Sequence, residues 1–261
     1  MKRRFLILLF IFFTSIVWGE NKSDTFLKQY MKENNINCTV VIESLKTNKT
    51  YIYNDKRSKD RFLPASTFKI VNTLIALQEK VIQDENEVIK WDGRDKGYPD
   101  WNKDQNMKSA FTLSCVWYYQ ELAKKIGNSK YLSYLKKMDY GNMKTGNNID
   151  SFWLDRDLRI SAIEEIKVLK NIYGEKYTFD NKYYNILKTL MVVDKNENYI
   201  VRAKTGTASR VSPNIGWYVG YIETKDDVWF FACNLDMLKP EQAKLRKEIV
   251  YTALRELEII K

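Results

Sequence analysis

The chain has 261 residues, 44% of them hydrophobic and 14% aromatic, which is ample for a packed interior and excludes disorder as a reading. Its formal charge is +10, yet only 11 of the 43 basic residues are arginine and the lysines are interleaved with acids, so no basic stripe for nucleic acid emerges. It contains no histidine, which removes Ser-His-Asp and Cys-His catalysis and most zinc sites; no metal site is expected, and any hydrolytic chemistry needs a base other than imidazole.

In chain order, Lys2, Arg3 and Arg4 precede an apolar run from Phe5 to Val17 that Trp18-Gly19-Glu20 breaks. Residues 1–19 therefore read as a signal peptide cleaved after Gly19, the run falling short of the ~20 residues that span a bilayer comfortably. A retained anchor is the other reading. The mature chain is expected to be exported to a bacterial periplasm, with no membrane association after cleavage. Thr39–Leu45 and Thr50–Tyr53 alternate apolar and polar residues around Lys46-Thr47-Asn48 and read as a hairpin. Pro64-Ala65-Ser66 then opens a buried helix whose apolar period runs from Phe68 to Leu77. Further helical patterns cover Val116–Ile126, Tyr131–Met138, Ala162–Tyr173 and Asn185–Val192. Strand patterns follow at Tyr199–Ala203, Gly216–Ile222 and Val228–Leu235, and Lys239–Ile259 closes the chain as an amphipathic helix. Strands from both chain ends around a helical insert predict an α/β fold of the α+β type. In it an antiparallel sheet is flanked by helices, with a helical lobe from about residue 81 to 190. Residues 20–261 are expected to form one domain.

Two short patterns suggest chemistry. Ser66-Thr67-Phe68-Lys69 places a hydroxyl and an amine three residues apart, on one helix face, at a helix start where unpaired N–H groups favour developing negative charge. A lysine among apolar residues has its pKa lowered by desolvation, as a base requires. The pattern is weak alone: Ser133-Tyr134-Leu135-Lys136 shares it, and an N-cap serine followed by a lysine is the plainer reading. Ser133 reads as solvated surface. Lys-Thr-Gly also occurs twice. Lys144-Thr145-Gly146 lies in a loop, whereas Lys204-Thr205-Gly206 follows a strand and precedes Thr207-Ala208. At a sheet edge Gly206 allows close backbone approach, and the N–H groups of Ser66 and Thr207 would form an oxyanion hole.

With these two motifs placed, the chain resembles the class D serine β-lactamases (the oxacillinase family) over nearly its whole mature length. Ser114-Cys115-Val116 is similar to the family's Ser-x-Val, and Tyr140-Gly141-Asn142 to its Tyr-Gly-Asn. Phe152-Trp153-Leu154 resembles the loop bearing its tryptophan, and Leu245-Arg246-Lys247 the terminal helix whose arginine meets the substrate carboxylate.

The resemblance implies a serine β-lactamase/penicillin-binding-protein-like fold and a β-lactamase acting on penicillins of the oxacillin type through a Ser66 acyl-enzyme, conferring β-lactam resistance. It implies no cofactor beyond carbon dioxide or bicarbonate, which would carboxylate Lys69 into a general base. Phe68, Val116, Trp153 and Leu154 would wall that group, and the Trp153 indole N–H would bond it. Ser114 would relay a proton beside Lys204, while Thr205, Gly206, Thr207 and Arg246 would bind substrate. Tyr140, Gly141 and Asn142 would line the site from its floor. A monomer or homodimer is expected. Cys115 reads as a buried thiol, and the family's strand order would make the strands of Cys38 and Cys233 neighbours, leaving a disulfide open. A transpeptidase would carry Asn where Val116 stands. An acylated receptor domain would continue into a membrane span, which a chain ending at Lys261 does not show. A class A enzyme would want Ser-Asp-Asn.

Overall fold

The structure is a computed structural model that describes residues 22–155 and 157–261, so the expected signal peptide lies outside the described residues. Six strands form one antiparallel sheet: β1 (Cys38–Ser44), β2 (Thr50–Tyr53), β3 (Val192–Lys195), β4 (Tyr199–Ala208), β5 (Asn214–Thr224) and β6 (Val228–Met237). Their order is β2-β1-β6-β5-β4-β3, so both chain ends contribute to one sheet. The helices are α1 (Lys22–Glu33), α2 (Asp55–Lys59), α3 (Lys69–Gln78), α4 (Met107–Thr112), α5 (Val116–Ile126), α6 (Asn128–Met138), α7 (Ala162–Tyr173), α8 (Asn181–Leu190) and α9 (Leu245–Glu256).

Both sheet faces are buried because the central strands are apolar on both. In β5, Trp217, Val219 and Tyr221 face the core shared with α3 and the helical region, while Tyr218 and Ile222 face the core closed by α1 and α9. The first core carries on through Leu74, Leu122 and Leu135 of the helices, so sheet and helices share one continuous interior. Helix α7, inside the span expected to form the helical lobe, lies against β1, β5 and β6. Ser161 caps it in a reciprocal box: Glu164 N–H donates to Ser161 Oγ, and Ser161 N–H to Glu164 Oε2 at 2.9 Å.

Several boundaries differ from the sequence reading. β4 runs through Lys204-Thr205-Gly206 rather than stopping at Ala203. The helix read over 185–192 is α8, and Val192 begins the short strand β3. The closing helix starts as a 3-10 turn at Pro240–Lys244 and ends at Glu256. Ser66 sits in a 3-10 turn, Ala65–Phe68, and the α-helix proper begins at Lys69. Cys38 and Cys233 face the same core on adjacent strands, but Cys38 stands opposite Leu235 and Cys233 opposite Val40; both thiols are free, as is that of Cys115. Among the described residues no helix is long and apolar enough to cross a membrane.

Candidate active site

The Ser66 turn is clamped from two sides. Trp217 of β5 donates its indole N–H to Leu63 O at 2.8 Å, and Ala65 N–H donates to Trp153 O at 2.9 Å. Ala65 has a φ of 50°, so the chain enters the turn through a left-handed residue that this packing holds in place. A 3-10 turn eclipses residues three apart, which brings Lys69 Nζ to 3.0 Å from Ser66 Oγ. Ser66 is part-exposed and Lys69 is 0% exposed. Burial pulls the Lys69 pKa down to about 7, against a small opposing effect of Cys115, so near neutrality the amine is substantially unprotonated. The Tyr119 ring lies 5.1 Å from the amine.

An aromatic cluster walls this turn. Phe68 meets Tyr140, Phe152 and Trp153 at ring-centroid distances of 5.5, 5.3 and 5.8 Å. Trp153 is fully buried, and its Nε1 donor has no hydrogen-bond partner among the described residues. Val116 and Leu154 line the cleft in front of the turn. Tyr140, Gly141 and Asn142, expected as site-lining, are not among the residues that line the cleft: Tyr140 packs on Phe68, and Gly141 and Asn142 meet Arg159. Gly141 has a φ of 53°, and a Cβ there would lie 1.9 Å from Arg159 O. Asn142 N–H reaches that same carbonyl at 2.9 Å, and Asn142 Oδ1 accepts from Arg159 N at 3.0 Å. The triplet thus ties down the far end of the loop that carries Trp153.

The second wall comes from α4 and β4. Ser114 adopts a φ of 54° just beyond α4, which turns its hydroxyl onto Lys204 Nζ, with which it is hydrogen bonded. Lys204 is nearly buried and also donates to Thr205 O at 3.1 Å. Burial, then the positive charges of Lys69, Arg246 and Lys247, push its pKa well below the ordinary lysine value. Gly206 is where β4 touches the Ser66 turn: a Cβ there would sit 2.9 Å from Pro64 O and 3.1 Å from Thr67. Ala203 N–H bonds Met191 O at 2.8 Å, on the edge away from β5; strand alternation turns Thr205 and Thr207 N–H the same way, beyond the last β3 pairing at Arg202. From α9, Arg246 donates to Gly206 O at 2.8 Å and Thr207 Oγ1 at 2.7 Å, while its Nε has no partner among the described residues. Burial lowers its pKa.

Together these residues open onto a cleft of about 580 Å³ that Ser66, Ser114, Val116, Leu154, Thr205, Gly206, Thr207 and Arg246 all line. Sequence reasoning missed Tyr98, Lys96 and Arg210 on the same cleft; Arg210 ion-pairs with Asp155, two residues past Trp153. None of the three sits in a pattern with a periodicity or spacing to flag it. Among the described residues no cluster of metal-binding side chains occurs.

A serine bonded to a dry lysine, with a second serine–lysine pair and an arginine across the cleft, defines a serine hydrolase built on the penicillin-binding-protein transpeptidase domain, whose family model matches residues 28–255. The chain belongs to the class D β-lactamases. Over 243 residues it is 42% identical to beta-lactamase OXA-48 of Klebsiella pneumoniae, covering 93% of this chain and 91% of that protein. The crystal structure of FUS-1 (OXA-85), a class D enzyme of Fusobacterium nucleatum subsp. polymorphum, superposes with a TM-score of 0.88 at 36% identity, covering 91% of this chain and 99% of that one. The class D enzyme of Sebaldella termitidis gives 0.87 at 42%, covering 90% and 97%.

Proposed function

We propose that this enzyme hydrolyses the β-lactam amide of penicillins, oxacillin-type substrates included, through an ester on Ser66, and so confers β-lactam resistance after export. The observation that carries the reading is the 3.0 Å contact between Ser66 Oγ and a fully buried Lys69 amine. A hydroxyl at its ordinary pKa is a poor nucleophile, and a neutral amine at this distance can take its proton. The residues also fit a carbon dioxide adduct on Lys69: the amine is neutral enough to react, and the buried Trp153 Nε1 is a donor in need of an acceptor. Bound there, carbon dioxide supplies an anionic general base.

Substrate enters with its carboxylate toward Arg246 and Thr205 and its carbonyl oxygen toward the N–H groups of Ser66 and Thr207. Ser66 Oγ bonds the carbonyl carbon as its proton passes to the Lys69 side chain, and the oxyanion is held by those two donors. The carbon–nitrogen bond then breaks as the nitrogen takes the proton of Ser114, which Lys204 holds in place, and Ser114 is resupplied with the proton taken up on the Lys69 side, so that base is restored. Val116 and Leu154 keep the Lys69 pocket apolar. A water deprotonated on the Lys69 side then bonds the ester carbonyl carbon, and Ser66 Oγ leaves with that proton. The test is turnover of a chromogenic cephalosporin and of oxacillin in buffer stripped of carbon dioxide, then after bicarbonate is added. Restored turnover is expected. Equal turnover in both, with no carbamate carbon resonance on labelled bicarbonate, would remove the adduct while leaving Ser66 in place. A free-lysine transpeptidase also gives no bicarbonate response.

A further inference from the structure

Behind the Ser66 turn lies a buried carboxyl that the reaction above does not use. Glu165, in the first turn of α7, is 2% exposed, and its Oε1 lies 2.9 Å from Thr67 Oγ1, the hydroxyl of the residue after Ser66. Thr67 Oγ1 is also 2.8 Å from Pro64 O, the residue that opens the turn. The Thr67 hydroxyl has one proton and two oxygens within bonding distance. If Glu165 were ionised, one of those contacts would set lone pair against lone pair in a dry interior. If Glu165 holds a proton, every contact is satisfied in series: the acid donates to Thr67 Oγ1, and Thr67 donates to Pro64 O. The ionisable groups facing Glu165 are Glu164, whose charge opposes ionisation, and the Tyr140 phenol, whose hydrogen bonding, like that of Thr67, favours ionisation but is outweighed by burial; no cation is among them.

We propose that Glu165 is a positioning residue that works as a neutral carboxylic acid, anchoring the Ser66 turn through Thr67 and Pro64, and that its ionisation loosens the turn and sets the alkaline limit of turnover. The inference rests on Ser66 being the nucleophile. Burial independently raises the Glu165 pKa from the ordinary carboxylate range to about 7. Lys69 must lose a proton to act and Glu165 must keep one, so the two groups oppose each other on the pH axis. The same proton links to stability. A carboxyl whose pKa is raised on folding stabilises fully below its unfolded value near 4.5, and that contribution disappears as pH rises to about 7.

The deciding variant is Glu165→Gln, whose amide donates to Thr67 at every pH. It is expected to retain turnover at pH 6 within about threefold and to hold it at alkaline pH, where the wild type declines by about tenfold. Its melting temperature relative to wild type should climb from pH 4.5 to 7 and then level off. Infrared spectra of the wild type at pH 6 should show a buried carboxylic-acid carbonyl band that Glu165→Gln lacks. A Glu165→Gln enzyme with the wild-type alkaline limb, or a wild type without the acid band, overturns the proposal. The melting and infrared readouts need no substrate, so they stand even if the β-lactam reading fails.

Discussion

Ser66–Lys69 and Ser133–Lys136 carry the same residue types at the same spacing at two helical sites, yet Lys69 is sealed and both Ser133 and Lys136 are exposed on α6. Lys204-Thr205-Gly206 and Lys144-Thr145-Gly146 differ in the same way: Lys204 is buried on β4 beside Ser114, and Lys144 is exposed in a loop. Local geometry is therefore the smaller part of a lysine base. What separates the members of each pair is desolvation, and desolvation is supplied by residues remote in sequence: Tyr119 beside Lys69, and Phe111 and the sheet beside Lys204. Lys136 has no such enclosure: it lies exposed on α6.

Four experiments bear on that comparison. Ser66→Ala should lose turnover by roughly 10³-fold or more, while Ser133→Ala leaves it unchanged. Mass spectrometry after mixing with a poor substrate should place the adduct on the Ser66 peptide, and an adduct at Ser133 would reverse the two roles. Trp153→Ala removes the unpaired donor and opens the dry pocket, making Lys69 more like Lys136. Deacylation should slow about 10²-fold, more than acylation, giving a burst and then slow turnover in stopped flow. Arg246→Ala strips the cation from the Lys204 triplet and should raise KM by roughly tenfold to a few hundredfold, ~1.5–3 kcal/mol. An unchanged KM across several penicillins would make Arg246 a structural brace for Gly206 and Thr207.

The smallest effect is on stability. Lys69 has its pKa depressed from 10.5 to about 7, so in buffer free of carbon dioxide its favourable contribution is complete above 10.5 and lost as pH falls to about 7. Lys69→Met should therefore melt above the wild type, by most below pH 7 and by progressively less toward pH 10.5. Turnover should fall on the acid side through the same proton.

Long amphipathic helices and apolar strands were legible in the sequence: α5 and α7 lie where their periodicity puts them, β5 extends two residues beyond its pattern at each end, and β6 two residues at its C-terminal end. Helix α1 was not, because its buried Leu27 and Met31 stand among charged residues. β3 was absorbed into the preceding helix because Val192 continues the apolar period of α8. β4 reads as broken at Lys204, since lysine, threonine and glycine resemble a turn; the strand continues because Lys204 to Ala208 pair with Val219 to Ile215 of β5, and Gly206 then fits under the Ser66 turn. The site residues named by motif all reach one cleft or its back wall. Glu165 carries no motif at all, and its role depends on Thr67 lying across the interface from α7.

The complete burial of Lys69 has a consequence for the life of the chain before it folds. Ser66 and Lys69 are close in sequence, but the turn that joins them is clamped by Trp153 and Trp217 and the amine is covered by Tyr119, residues that meet it only in the finished fold. An extended chain holds an ordinary ammonium group apart from an ordinary alcohol, and neither is reactive. The chain is thus latent until it folds: reactivity arrives with the packing that buries Lys69, and any opening that wets Lys69 extinguishes it again.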